Sequence, residues 1–429
     1  MPTSALAGIE ASRPPAWTKS ALLYILCGSL ALYPLLEKFV APVIAVSYAV
    51  AFFIVMSKLV ANGLRVPGSY LGWVWMTYLV VYSVWYAIAV LYDNKLAYIN
   101  QDSLGFLLYF GFVPILFLFI VFYRLQAAFA RFIVGCCFLI SIISVIAVTG
   151  YYIAFGEIDG NALLATNAFL AGLGLNWQID NNVGLLGMYT NTAHLLLLGI
   201  AIVLYRYSLS GRRIDLGLTA LFLVGILLDG HRALVIAALM QLAILGPQLL
   251  GRTTASKRIA IVVVLIVGLL IAAALSWDWV QARFDFTTED PSTAERHAQI
   301  PALLDKIEQN PVLGSGFGSS AAYIRSIERP FSYEVDFLAT IMKLGLVGGL
   351  IYFGTYLLAL AHGLLSGGRA GLFLLSAGAP FFFYMSTNGN QAMSTDSSVF
   401  HIFIFLLIAF AVDAARRRRK ASAVPRSAQ

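Results

Sequence analysis

The chain has 429 residues, of which 60% are hydrophobic and 11% charged, and its formal net charge is +7. Ordinary soluble domains are roughly 45–50% apolar and about 25% charged, so this composition excludes a water-soluble enzyme and indicates a bundle of membrane helices. Nor does the positive charge indicate a nucleic-acid-binding protein. The basic residues lie between apolar segments and in a tail at 416–420, where they suit anionic lipid.

Apolar segments long enough, or nearly long enough, to cross a bilayer recur along the chain, and they predict about twelve transmembrane helices. They lie at 19–36, 39–57, 70–91, 104–122, 130–155, 183–205, 213–229, 232–249, 258–276, 334–361, 371–386 and 397–414. The predicted fold class is all-α, a polytopic integral membrane protein. Its predicted parts are transmembrane helices 1 to 9 in 1–276, a periplasmic loop at 277–333, helices 10 to 12 in 334–415 and a basic cytoplasmic tail at 416–429.

The distribution of Lys and Arg predicts the orientation of these spans. Most basic residues in the connections fall on one side when the spans alternate, and such residues are retained in the cytoplasm. We therefore expect both termini to be cytoplasmic. This topology places the two long connections, 156–182 and 277–333, outside, where functional residues are expected.

The larger outer connection contains a helix signal. Ser292 and Glu295 form a capping box, and apolar residues then follow from Ile300 to Ile307 at the spacing of one helix face, before Pro311 ends the pattern. We expect an amphipathic helix over the outer membrane surface or over the bundle.

A short outer turn at 229–232 joins the seventh and eighth predicted spans and carries Arg232. This guanidinium either reaches lipid headgroups or binds an anion. Arginines are scarce on the outer side, and Arg283 and Arg296 lie in the neighbouring loop. The three are candidates for bidentate binding of a diphosphate, while a solvated loop charge is an equal alternative for Arg283 and Arg296.

The glycine-rich stretch at 311–318 superficially matches a dinucleotide-binding fingerprint, but no strand precedes it and this composition admits no βαβ unit. Its glycines instead predict a close turn that returns the chain to the bundle.

Two carboxylates, Glu334 and Asp336, open the tenth predicted span. Each either complements a helix N-terminus or acts as a general base toward an acceptor hydroxyl. Lys343 lies about three turns further along, where an unpaired ammonium is costly, so we expect it to face other helices or a wet cavity. The scattered histidines and the cysteines inside apolar runs predict no metal site, and no cofactor is expected.

Taken together, the turn with Arg232, the large outer loop, the P-x-x-G-x-G-x-G pattern at 311–318 and the Gly345-x-x-Gly348 pattern resemble a known superfamily. It comprises bacterial O-antigen polymerases, O-antigen ligases and related exopolysaccharide polymerases. The resemblance covers mainly 183–350.

This resemblance implies a metal-independent glycosyltransferase with a fold like that of class C glycosyltransferases, in the bacterial inner (plasma) membrane with a periplasmic active site. Its substrate would be a polyprenyl-diphosphate-linked oligosaccharide, and a chain-length regulator protein is a candidate partner. Ligases of this family typically carry a histidine where the tenth span begins. This chain has Glu334 there, which favours a polymerase over a ligase that transfers polymer to lipid A core.

On this reading Arg232 is the first diphosphate ligand, Glu334 the general base and Asp336 its reserve. Substrate-binding candidates are Arg283, Arg296, His231, His297, Tyr333 and Gly316. A transporter or flippase of lipid-linked sugars is the alternative from another class, and it predicts half-repeats, broken helices and midplane charges, of which Lys343 is the clear one.

Overall fold

A computed structural model describes residues 21–25, 43, 46–61, 69–156, 158–172, 177–182, 185–190, 193–229, 231–250, 291–365 and 368–387. Its helices are α1 Val46–Ala61, α2 Ser69–Leu91, α3 Leu96–Phe122, α4 Gln126–Phe155, α5 Gly160–Gly172, α6 Leu195–Ser210, α7 Arg213–Asp229, α8 Arg232–Leu250, α9 Pro291–Gln309, α10 Asp336–Leu365 and α11 Gly368–Thr387. Two strands, β1 Trp177–Asn182 and β2 Leu185–Thr190, lie between α5 and α6. The predicted helical fold is confirmed, and this hairpin is an element that the prediction did not include.

Two helices in the described ranges are long and apolar enough to cross a bilayer, Gln126–Phe155 and Asp336–Leu358. Shorter apolar helical segments lie at Val46–Ala61, Leu79–Leu91, Leu195–Ser210, Ala233–Gly246 and Gly371–Tyr384. The predicted spans at 258–276 and 397–414, and most of 19–36, lie outside the described residues. The structure therefore does not confirm a count of about twelve spans.

Large apolar side chains cover the outside of the long helices. Ile153 on α4 is 81% exposed and Leu350 on α10 is 72% exposed. Such a surface is unfavourable in water and is what the hydrocarbon of a bilayer covers.

The predicted span at 183–205 is wrong in its first part. Residues there form β2, which pairs antiparallel with β1, and α6 begins only at Leu195. Leu186 and Met188, two residues apart, both belong to one buried cluster with Val148 and Tyr151 of α4, as the period of a strand requires. The apolar run thus belongs to a strand with one buried face and not to the start of a helix.

The fourth predicted span begins earlier than expected. Its hydropathy predicts a start at residue 104, whereas α3 begins at Leu96 and includes the polar stretch Asn100-Gln101-Asp102. Because the Asp102 side chain is paired inside the bundle, this polar turn remains helical within the protein.

Contacts between helix ends show that the polar segments meet at one end of the bundle. Tyr384, near the end of α11, contacts the rings of His194, just before α6, and His231, just before α8. Lys343, in the first part of α10, contacts Asp102 in the first part of α3. We call this end of the bundle the site end.

Candidate functional site

Helix α10 is broken at Gly345, which has φ 63° and ψ −174°. A break leaves carbonyl and amide groups without helical partners, and such groups are costly inside a membrane protein unless other backbone satisfies them. Here the glycine loop, residues 310–318, supplies the partners. Its amides donate to α10 carbonyls and its carbonyls accept from α10 amides, in the bonds Ser315 N to Met342 O, Gly316 N to Lys343 O, Leu346 N to Pro311 O and Val347 N to Val312 O, at 2.9–3.1 Å.

Glycine is required in this loop because the backbones approach too closely for a side chain. Gly316 has φ 77°, and a Cβ atom on it would lie 2.5 Å from the Cα atom of Ala89. A Cβ atom on Gly318, which has φ 72°, would lie 2.6 Å from the backbone nitrogen of Ile99. The predicted close turn back to the bundle is confirmed. Gly316 is buried against protein backbone, a position that does not support its predicted part in substrate binding.

Side chains of α2 and of the turn between α2 and α3 also hold the loop. The indole of Trp85 donates to the Leu313 carbonyl at 2.7 Å, and the amide of Asn94 donates to the carbonyls of Ser315 and Phe317 at 2.8 and 3.0 Å. These bonds join the glycine loop to residues that precede it by 221–228 positions.

Lys343 and Asp102 form a buried ion pair behind the glycine loop. The Lys343 ammonium lies 2.7 Å from Asp102 Oδ1, and the two side chains are 5% and 3% exposed. Gly318 N–H donates to the other oxygen of Asp102 at 2.7 Å. The expectation that Lys343 faces other helices is confirmed, and Asp102 is the partner that hydropathy alone did not identify.

Glu334 lies between two guanidiniums. Its Oε2 accepts from Arg296 Nε at 2.9 Å, and its Oε1 lies 2.7 Å from Arg325 Nη2. Arg325 Nε also donates to Glu295 at 3.2 Å. We call these four residues the loop cluster. The Glu334 side chain is 13% exposed, whereas those of Arg296 and Arg325 are 40% and 37% exposed, so the carboxylate lies below an open pair of cations.

The backbone at Glu334 is held separately from its side chain. Gln299 of α9 is fully buried, and its amide oxygen accepts from the backbone N–H of Glu334 at 2.7 Å. Tyr333 is also buried, and its hydroxyl accepts from Ala321 N–H at 2.6 Å. Burial raises the pKa of the Tyr333 phenol above its ordinary value, so it remains neutral and suits a packing role.

A second polar group lies at the turn between α7 and α8. The imidazole of His231 is bound through Nδ1 by Asp229, and this carboxylate is 1% exposed while the His231 side chain is 14% exposed. The ring of His194 stacks on Tyr384 with centroids 5.8 Å apart, and His231 meets the same ring edge-on at 6.4 Å. A buried carboxylate thus orients a partly exposed imidazole next to Arg232, the first residue of α8.

The remaining predicted site residues are distributed around these groups. Asp336 is the first residue of α10 and is partly buried, and His297 is exposed on α9. Arg283 lies outside the described residues, as does the side chain of Arg232. That Arg232 and Arg283 lie close to Arg296 therefore stays a prediction.

The structure adds Arg325, which the sequence did not single out, as a second guanidinium beside Arg296. Its signal was weak, because it lies in an irregular stretch with no periodic pattern. Among the described residues no group of three or more His, Cys, Asp or Glu side chains is placed to hold a metal ion.

Residues 217–353, about a third of the chain, match a family model described as O-antigen ligase. This range contains Asp229 and His231 at the turn between α7 and α8, the loop cluster, the glycine loop and the break in α10. A comparison with curated proteins found no match. The family match is consistent with the O-antigen polymerase and ligase superfamily and supports a membrane enzyme of that general type, with a lipid-linked saccharide as substrate.

Proposed function

We propose that this protein is a polysaccharide polymerase of the bacterial inner membrane. It transfers a polyprenyl-diphosphate-linked glycan onto the acceptor sugar of another lipid-linked repeat unit at the periplasmic face. The observation that carries the proposal is the position of Glu334, a carboxylate at the start of α10 in contact with two guanidiniums at the site end.

The chemistry requires a base for the acceptor and positive charge for the leaving group. A hydroxyl oxygen of the acceptor sugar forms a bond to the anomeric carbon of the donor while the bond from that carbon to the diphosphate breaks. The hydroxyl proton passes to Glu334, with Asp336 as the reserve. Negative charge grows on the departing diphosphate, where Arg232, Arg296 and Arg325 are the proposed ligands.

Guanidiniums suit this role because their planar donors match phosphate oxygens in pairs and they stay charged at any working pH. Fixed guanidiniums can therefore replace a divalent cation, and metal-independent transfer is part of the proposal. Arg283 is a further proposed ligand. The bilayer holds the two lipid tails and the outer loop covers the sugars, which brings the reactants together.

A ligase is the second candidate, since the matching family model is described as O-antigen ligase. Such an enzyme would transfer the finished polymer to lipid A core. We favour the polymerase because Glu334 occupies the place where ligases of this superfamily typically have histidine.

The transporter alternative predicts a broken helix and internal charges, and α10 has a break while Lys343 is charged. The break is filled by the glycine loop, however, and Lys343 is neutralised by Asp102. Both features are accounted for by contacts that hold the fold together, so we do not adopt this alternative.

Deletion of the gene tests the proposal through the lipid-linked species that accumulates. A polymerase deletion should leave single repeat units, whereas a ligase deletion should accumulate lipid-linked polymer. Accumulation of polymer, or no change in either species, would contradict the polymerase assignment. Co-purification with a chain-length regulator protein would be a separate test of that proposed partner.

A further inference from the structure

The contacts within the loop cluster differ from those that the proposed reaction needs. Each carboxylate oxygen of Glu334 already contacts a guanidinium, so an acceptor hydroxyl has to compete with both cations for this carboxylate. The two guanidiniums in turn are both paired with this carboxylate. In the arrangement observed, the proposed base and two of the proposed diphosphate ligands form ion pairs with each other.

We propose that Arg296 and Arg325 exchange partners when the donor binds. The diphosphate of the donor lipid draws the two guanidiniums away from Glu334, and the carboxylate is released for the acceptor only at that moment. This inference rests on the proposed function, and it assigns to Arg325 the task of coupling donor binding to release of the base.

The exposure of the arginines makes the exchange feasible. An ion pair whose guanidinium is open to water is weakened, because water screens the charge. Both arginine side chains are more than a third exposed. A diphosphate carries more charge than one carboxylate and accepts in bidentate fashion, so it competes well for both.

The backbone does not have to move during this exchange. Gln299 holds the N–H of Glu334 through a fully buried side chain, and Tyr333 is fixed by its bond to Ala321. Arg325 also contacts Glu295, a second carboxylate from which the diphosphate draws the guanidinium. The change is confined to side-chain rotations.

The decisive experiment measures equilibrium binding of polyprenyl diphosphate, the sugar-free leaving group, to the full-length protein in lipid nanodiscs. In Glu334→Gln the guanidiniums no longer have to leave a carboxylate, so this variant should bind the lipid about three- to tenfold more tightly than the unmodified protein. Glu295→Gln should tighten binding by a smaller factor, and Arg325→Gln should weaken it. Arg329→Gln, which changes an exposed arginine of the same loop, is the matched control and should leave binding unchanged.

A role for Glu334 in holding the loop in shape predicts the opposite sign, because loss of its ion pairs would then disorder the site and weaken binding. Unchanged or weaker binding by Glu334→Gln overturns the exchange. If that variant is not recovered folded, Glu295→Gln on the surface of α9 decides the question, and unchanged or weaker binding there overturns it equally. In either case the polymerase assignment is judged separately, by the lipid-linked species that accumulate on gene deletion.

Discussion

Glu334 is the side chain through which the proposed reaction is tested most directly. Glu334→Gln keeps the shape of the side chain but removes the base, so polymerisation should fall about a hundredfold or more. The chain-length distribution of lipid-linked glycan, normalised to the amount of protein in the membrane, measures the effect. Asp336→Asn, at the reserve position, should retain most of the activity.

Normal polymer made at the normal rate by Glu334→Gln would eliminate the assignment of Glu334 as the base. Loss of activity in Asp336→Asn alone would transfer that assignment to Asp336.

Arg232 is the residue proposed to bind the leaving diphosphate. Arg232→Ala should abolish chain elongation while protein abundance is maintained, because loss of one preorganised donor to a developing anion typically lowers the rate by about a hundredfold or more. The control is Arg213→Ala at the start of α7, the opposite end of the helix that leads to the 229–232 turn. Both variants are compared by the length of the polymer formed. Full-length polymer in the Arg232 variant would refute its role.

At the scale of elements, the close contact between the glycine loop and α2 makes a stability prediction. Gly316→Ala places a Cβ atom 2.5 Å from the Ala89 backbone at a residue with φ 77°, so it should lower stability by about 1–3 kcal/mol. Gly349→Ala, where the nearest atom would be 3.6 Å away, is the matched control and should be tolerated. Thermal unfolding in detergent compares the two. Equal unfolding temperatures would mean that the loop can shift away from α2.

The ion pair between α3 and α10 makes a second prediction. Lys343→Met leaves the buried Asp102 carboxylate without its cation and should destabilise the fold by about 3–5 kcal/mol. Adding Asp102→Asn to that variant should restore a large part of the loss. Unfolding temperatures of the two single variants and the double variant complete the thermodynamic cycle. Additive losses would show that the two side chains do not stabilise each other.

Local sequence patterns predict some helices correctly and miss other elements. The α9 helix was predicted from Ser292 and Glu295 and from the spacing of its apolar residues, all of which are local signals, and it is present. The β hairpin was missed because a short apolar run reads equally as a strand or as the start of a membrane helix. The early start of α3 was missed because the partner that makes Asp102 acceptable, Lys343, lies 241 residues further along the chain.

The candidate site was also predictable only in part from the sequence. Glu334, Arg296 and the glycine loop could be selected from residue type and chain order, but their contacts could not, since each depends on tertiary packing. Sequence reasoning grouped Arg296 with Arg232 and Arg283 around a diphosphate. In the structure Arg296 contacts Glu334 instead, and the neighbouring guanidinium is Arg325.

At the scale of the whole molecule, the proposed topology places the loop cluster on the periplasmic side. Ile327→Cys, at a position 90% exposed in the outer loop, should react with a membrane-impermeant thiol reagent in intact spheroplasts. Arg213→Cys, at the opposite end of the bundle, should react only after the membrane is permeabilised. Both are made in a background without the native cysteines at positions 27, 136 and 137. The reverse pattern of labelling would invert the topology and exclude a periplasmic site.

The bonds that fill the break in α10 also have an evolutionary consequence. Residues 319–335 leave the bundle from the glycine loop and return to it at α10, and these two anchors are hydrogen-bonded to each other. Insertions or substitutions between fixed anchors add little closure entropy and do not displace the helices. Divergence of sugar preference among proteins with this architecture can therefore accumulate in the exposed residues of that excursion other than Arg325 and Glu334, while the helices and the glycine loop stay in place.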